Sequence, residues 1–346
     1  MRPGIARRAS SLALALALAA CTPATGAPTV APNPPPATDF SDGVSRIERR
    51  QAADDSVAAT GARSILLSHG RATPRVFVLL HGFTDSPTQF LVLGERLFAA
   101  GDNVYLPRLP HHADRMRRVR ELGRVQAEEL ASFGDSAIDA AHALGDSIIV
   151  VGLSAGGAIA AHLAQTREDV LRAILVAPAI GAGHLSDDEQ DGLIQLASRL
   201  PDITRSEAAD TTRPDFIQGL TTRGLAQVLR LGRTVRDEAD VHRPRAGAMA
   251  VVLNELDQTV SEDASIDLAR RWARHGGAVQ LYSFPASAGL PHNVMEVPQR
   301  GGNLELVLPV LEALAYARTP PTVRSMDIPC DGFECVVIWW HRRRGE

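Results

Sequence analysis

Five residues, Gly152-Leu153-Ser154-Ala155-Gly156, constrain the architecture of this chain more than any other stretch. The apolar run before them, residues 147–151, reads as a buried strand, and residues 155–165 after them read as a helix. Glycines two before and two after a serine let the backbone turn sharply from strand to helix and lift the hydroxyl clear of the sheet. Gly157, Ala158, Ala160 and Ala161 are small enough for that helix to lie close against the strands. Its N-terminus directs backbone N–H groups and a partial positive charge at whatever the serine attacks. Ser154 is the candidate nucleophile.

The rest of the chain repeats the same rhythm. Strands are expected at 64–67, 76–80, 103–106, 170–176, 248–253 and 279–284, and helices at 87–100, 122–143, 262–275 and 304–318. Strands alternating with helices of this length call for an α/β fold with a mostly parallel sheet covered on both faces. The alternation breaks over residues 181–246, which offer helical pieces at 188–199 and 224–231 and no convincing strand. An insertion entered and left at strand ends reads as a helical cap over the C-terminal edge of the sheet, where ligands bind in open α/β sheets. Its Leu193, Ile194, Leu196, Phe216, Ile217, Leu220, Leu225 and Leu229 are expected to supply an apolar acyl pocket.

Acyl transfer needs two donors for the developing oxyanion. One is the backbone N–H of Ala155; the other should come from the loop His81-Gly82-Phe83-Thr84, in which Gly82 lets the Phe83 N–H face the site. A serine hydroxyl also needs a base, and the base an orienting acid. Of 11 histidines, His292 lies in the loop after the last main strand, within reach of Ser154. His69, His142, His162 and His275 fall in or beside regular elements, and His81 belongs to the turn. The acid should end the preceding strand: Asp257 opens the loop Asp257-Gln258-Thr259-Val260, with Glu255 and then Asp263 as alternatives.

The order Ser…Asp…His, together with these loops, resembles the α/β-hydrolase superfamily over residues 75–318. The branch it looks like is that of bacterial carboxylesterases and monoacylglycerol lipases. Leu79-Leu80-His81-Gly82-Phe83-Thr84-Asp85-Ser86-Pro87 is similar to that branch's oxyanion loop, with Asp85 where glycine is usual. Tyr105-Leu106-Pro107-Arg108-Leu109-Pro110-His111-His112 is similar to its Pro-rich segment, with His111 and Ala113 in place of glycines. Asp257-Gln258-Thr259-Val260 and His292-Asn293-Val294 fit its acid and histidine loops, although Pro291 precedes the histidine. The resemblance implies an α/β-hydrolase fold at 41–318 and a serine carboxylester hydrolase acting through Ser154, Asp257 and His292. Amide hydrolysis of the prolyl aminopeptidase type, or a non-catalytic binding lipoprotein on the same fold, are the alternatives. His111-His112 reads as a loop beside the pocket, and Arg115, Arg117, Arg118, Arg120 and Arg124 as a solvated helix face.

Composition narrows the partners. The 346 residues carry a formal net charge of -4, and all 36 cationic residues are Arg. A mildly acidic chain has no broad electrostatic footprint for nucleic acid. No glycine-rich phosphate cradle, zinc spacing or dinucleotide fingerprint occurs, so no cofactor or metal is expected; the resemblance implies a small-molecule ester as the partner.

Both ends carry their own signals. Arg2, Arg7 and Arg8 precede the apolar residues 11–20, about half the ~20 residues that a spanning helix needs, so residues 1–20 read as a signal peptide. Leu18-Ala19-Ala20-Cys21 resembles the bacterial lipoprotein box, which implies lipidation of Cys21 and membrane anchoring. Residues 21–40 are then a Pro/Ala-rich tether. Thr22 in place of Asp points to the outer membrane of a Gram-negative host, facing the periplasm. The extension 319–346 holds Cys330 and Cys335, which in an oxidising compartment either close a disulfide or remain two thiols. Its apolar run ending in Trp339-Trp340 is expected to dock as a strand or hairpin arm, or else to meet the lipid headgroups with Arg342, Arg343 and Arg344.

Overall fold

Period-two alternation builds the sheet. In β2 (Val76–Leu80) all five side chains are buried, with Val76, Val78 and Leu80 entering one core and Phe77 and Leu79 the other. β4 (Ile148–Leu153) does the same, sending Ile148 and Val150 to the first face and Ile149, Val151 and Leu153 to the second. Strands buried on both faces must be covered on both. The computed structural model describes residues 34–183, 185–206, 216–217, 219–297, 301–318, 323–327 and 337–341.

The other strands of the main sheet are β1 (Ile65–Leu67), β3 (Asn103–Leu106), β5 (Val170–Val176), β8 (Ala248–Asn254), β9 (Val279–Phe284), β10 (Val323–Asp327) and β11 (Val337–His341). Their order is β1-β3-β2-β4-β5-β8-β9-β11-β10, with β1 and β10 antiparallel to their neighbours and the rest parallel. A separate pair, β6 (Thr204–Ser206) and β7 (Gly219–Thr221), is antiparallel. The helices are α1 (Phe40–Val57), α2 (Leu91–Ala99), α3 (Val119–Leu122), α4 (Ala127–Ala141), α5 (Ala155–Thr166), α6 (Asp187–Arg199), α7 (Thr222–Val241), α8 (Glu262–Arg274) and α9 (Leu304–Ala315). Helices α4, α5, α7 and α8 share the first core, and α2 and α9 the second. This is the mostly parallel, two-faced sheet expected of the sequence.

The arginine run at 115–124 is not a helix face, since of its five arginines Arg120 alone lies in α3. Four further details differ from the expectations. Residues 122–143 are not one helix: α3 ends at a Gly123 C-cap and α4 starts afresh after Gln126. Residues 224–231 are only part of the 20-residue α7. Its Val228, Leu231, Val235 and Ala239 belong to the first core, and a Cβ on Gly232 would lie 2.5 Å from the Ala179 carbonyl oxygen. The later half of the expected cap, 181–246, is therefore a covering helix of the sheet, and the segment also contains β6 and β7. The fourth difference is α1, which no apolar periodicity announced.

Helix α1 is fixed by chemistry at both ends. Asp39 caps it by accepting the Asp42 N–H, and near its C-terminus Asp54, almost fully buried, accepts Ser64 N–H (2.9 Å), Ser64 Oγ–H (2.6 Å) and Arg108 Nε–H (2.9 Å). Such a buried pair is sound because hydrogen bonds satisfy both carboxylate oxygens.

In the tail, β11 runs parallel to β9, Val337 opposite Gln280 through Trp340 opposite Ser283. That is the strand arrangement of the two expected. Cys330 and Cys335, and likewise Cys21 with the signal and most of the tether, lie outside the described residues.

Candidate active site

The turn after β4 holds Ser154 at φ 55°, ψ −112°. A non-glycine residue there costs about 1–3 kcal/mol and persists only where its surroundings over-determine it. Here they do. Ser154 N–H donates to the Val176 carbonyl (3.0 Å), and the Ser154 carbonyl accepts from Ala158 (3.0 Å) and Ala179 (2.9 Å). The flanking glycines are obligatory: a Cβ on Gly152 would fall 2.1 Å from the Gly156 oxygen, and one on Gly156 2.0 Å from the Leu80 oxygen.

Three residues far apart in the chain meet at the C-terminal ends of the strands. Ser154 Oγ lies 3.0 Å from His292 Nε2, and His292 Nδ1 lies 2.6 Å from Asp257 Oδ2. Asp257 Oδ1 accepts the N–H groups of Thr259 (2.8 Å) and Val260 (3.4 Å), so the carboxylate is aimed by its own loop. The side chain of Asp257 is 5% exposed, enough enclosure for its charge to act on the imidazole with little screening. The alternatives stand elsewhere: Glu255 Oε2 accepts the Ala286 N–H (2.7 Å), and Asp263 sits in the first turn of α8.

The two expected oxyanion donors stand on the loops after β2 and β4. Among the described residues the N–H groups of Phe83 and Ala155 carry no hydrogen bond, whereas that of Gly82 donates to Gln89 Oε1 (2.8 Å). Cap residues close on the same loop, since Ile217 N–H donates to the Thr84 carbonyl (2.9 Å) and Gly224 abuts the Phe83 ring. The expected acyl-pocket residues divide. Ile194 and Leu229 pack into a small core between α6 and α7, Ile217 is buried, and Leu196 and Leu220 face outward.

Two buried histidines support the oxyanion loop, His81 within it and His112 against it. His81 Nδ1–H donates to the Gly82 carbonyl (2.9 Å) and Nε2 accepts Leu109 N–H (3.0 Å). His112 Nδ1–H donates to the Pro110 carbonyl (2.7 Å), and its ring meets that of Phe83 edge to face at 5.2 Å. His111 and Ala113 adopt φ 63° and 50°, keeping the left-handed backbone without the glycines that usually supply it.

Burial holds His81 well below the ordinary imidazole range, and it lowers His112 to about 4, with Arg108 and His111 adding to the effect. Both are neutral in the fold, while in the unfolded chain they titrate near 6.5. Their contribution to stability is complete above pH ~6.5 and is lost as pH falls below it, for His112 down to about 4. For His112 alone this loss is on the order of 3 kcal/mol. The melting temperature is expected to drop across that window, and less steeply in His112→Phe. An unchanged slope in the variant would place the acid sensitivity elsewhere.

On the Asp257 side opens a cavity of about 570 Å³ lined by Asp187, Glu189, Glu255, Glu262, Asp263 and Asp267, with Arg236. Burial, then Glu255, Asp263 and Asp257, raise the carboxyl of Glu262. Among the described residues no group of three or more His, Cys, Asp and Glu side chains is arranged to hold a metal ion.

Sequence reasoning missed the residues that hold the His292 loop. Asn254, at the end of β8, donates Nδ2–H to the carbonyls of Leu290 (2.9 Å) and Pro291 (3.1 Å). From the other side, Gln89 Nε2–H donates to Asn293 Oδ1 (3.1 Å). The only sequence signal was position: Asn254 ends a strand, and Asn293 adjoins the candidate base.

Comparison with known proteins identifies the family and the fold. A model described as "Alpha/beta hydrolase family" matches residues 77–301. A thermostable monoacylglycerol lipase from Bacillus sp. (strain H-257) is 27% identical over 196 residues, 52% of this chain and 70% of that protein. Among solved structures, the monoacylglycerol lipase of Paleococcus ferrophilus superposes with a TM-score of 0.55 at 19% identity, covering 73% of this chain and 98% of that one. A soluble variant of the Saccharomyces cerevisiae monoglyceride lipase gives 0.55 at 14% identity, covering 74% and 92%. At such identities the structural likeness speaks for the fold.

Proposed function

The chain belongs to the alpha/beta hydrolase family, and from that premise we propose that it is a serine carboxylester hydrolase acting on short- to medium-chain or monoacylglycerol-type esters. The observation that carries the reading is the unbroken line from Ser154 Oγ through His292 to Asp257, 3.0 and 2.6 Å per step.

In this mechanism Ser154 Oγ attacks the ester carbonyl while His292 Nε2 takes its proton. The negative charge moves to the carbonyl oxygen, where the Phe83 and Ala155 N–H groups meet it; losing one such donor typically costs about 3–4 kcal/mol in the transition state. Asp257 stabilises the imidazolium. As the C–O bond breaks, Nε2 returns the proton to the leaving alcohol, and the acyl group stays on Ser154. Water, deprotonated by the same nitrogen, attacks the acyl carbon and releases the carboxylic acid. The acidic cavity beside Asp257 disfavours anionic substrates and speeds departure of the ionised product.

The test is a panel of p-nitrophenyl esters of graded chain length, monoacylglycerols and aminoacyl-nitroanilides given to the lipid-free domain. Esters should turn over fastest; amides outpacing every ester would sink the reading.

The lipid anchor is part of the same proposal: an exported chain, acylated at Cys21 and held at the outer membrane of a Gram-negative host. Its support is the apolar run ending at Cys21 and the tether after it. No helix among the described residues is long and apolar enough to cross a membrane. Cys21→Ala should move the protein from the membrane pellet to the supernatant; a variant that still sediments has another anchor.

A further inference from the structure

Two loops must hold their spacing for the proposed chemistry to work. The one after β2 carries the Phe83 N–H, and the one after β9 carries His292. They come from opposite ends of the chain and share no strand pairing. One side chain joins them. Gln89, in the short 3-10 turn Pro87–Phe90, accepts the Gly82 N–H on Oε1 (2.8 Å) and donates Nε2–H to Asn293 Oδ1 (3.1 Å). Each partner is the immediate neighbour of a candidate catalytic group: Gly82 precedes Phe83, and Asn293 follows His292.

The two bonds also fix orientation. An amide has one acceptor end and one donor end, so a Gln89 that accepts from Gly82 must donate to Asn293. Asn293 Oδ1 additionally accepts the Met295 N–H (3.2 Å), and its Nδ2–H donates to Glu296 Oε2 (3.3 Å), so the recipient amide is held in turn. By occupying the Gly82 N–H, Gln89 also removes a donor that would compete with Phe83 for the oxyanion. On the far side Asn254 holds Leu290 and Pro291. His292 thus rides in a loop bracketed by two amides, and only the Gln89 bracket reaches the oxyanion loop.

We propose that Gln89 is a positioning residue that sets the spacing between the Phe83 oxyanion donor and the His292 base through Asn293. The inference rests on the serine hydrolase reading. Its loss acts on the transition state more than on ground-state binding, because neither bond touches substrate and a misplaced donor or base is felt when charge develops.

The test compares wild type, Gln89→Met, Asn293→Ala and the double variant, using a p-nitrophenyl ester and a fluorophosphonate probe. Labelling of the wild type checks the premise: no labelling overturns the serine hydrolase reading and the inference with it. With the wild type labelled, Gln89→Met should lower kcat about tenfold and slow labelling in parallel, with KM within twofold and the melting temperature within about 2 °C. Asn293→Ala should do much the same, and it carries the test if Gln89→Met does not fold. The double variant should be no slower than Gln89→Met, because the two side chains form one link. A kcat within twofold of wild type, a loss that follows melting temperature, or losses that multiply in the double variant would each overturn the inference.

Discussion

Ser154→Ala is expected to cut ester turnover by on the order of 10⁴–10⁶-fold while leaving the melting temperature within a few degrees. The Ser154 hydroxyl makes its hydrogen bond to His292 Nε2, so its removal costs the fold little, and the strained turn is held through backbone groups that alanine retains. His292→Ala should fall into the same range, because a hydroxyl without its base and a base without its hydroxyl are equally idle. The double variant should be no slower than the worse single one. Steady-state kcat on a chromogenic ester measures all three. A further hundredfold loss in the double variant would mean that the two residues act independently and that the line between them is not the reaction path.

Asp257→Asn should lower kcat by roughly 10³–10⁴-fold through the tautomer of His292. The carboxylate accepts from Nδ1, which leaves Nε2 bare to take the serine proton. An asparagine that keeps the bonds from Thr259 and Val260 presents its NH₂ to Nδ1. The proton then sits on Nε2 and the base is blocked. Turning the amide round would set NH₂ against those two backbone donors instead. Glu255→Gln is the control: a glutamine oxygen still accepts the Ala286 N–H, so activity should stay within about threefold. If Glu255→Gln proves the more damaging of the two, Asp257 is not the acid.

What the sequence made legible was whatever depended on local crowding or on apolar period. The strand β5 was readable because Ala173 and Leu175 fill one core and Ile174 and Val176 the other. The Ser154 turn was readable because only glycine fits at 152 and 156. His292 stands within hydrogen-bond distance of Ser154, and Asp257 of His292, because strand order dictates which loops share one edge. What escaped depended on pairing at a distance. Arg230, Arg233 and Arg236 give α7 a polar face from the end of the expected piece onward. Those charges are met by Glu128 of α4, Asp187 and Asp191 of α6 and Asp267 of α8, so a polar stretch could be packed as a layer helix. Helix α1 escaped for the same reason, its Asp54 finding Arg108 across 54 residues. Gln89 and Asn293 lie 204 residues apart, and nothing local in either sequence announces the other.

The point where the chain joins the described fold has a consequence for reach. Ala37 is buried and donates its N–H to the carbonyl of Asp139, near the C-terminus of α4. That end of α4 leads into β4, beside Thr73 and Gly145, where the strands begin. Ser154, Asp257 and His292 stand at the opposite edge, where the strands end. A lipid on Cys21 would therefore hold the domain by its far pole. Residues 22–36, even drawn out at about 3.1 Å each, give a leash of about 50 Å. A domain of this size is itself roughly 50 Å across. Hanging straight, such a molecule turns its mouth away from the bilayer, and only by spending nearly the whole leash can it roll over and graze the surface. If Cys21 carries the proposed lipid, a mooring at that pole would favour esters taken from the surrounding water over those of the anchoring leaflet.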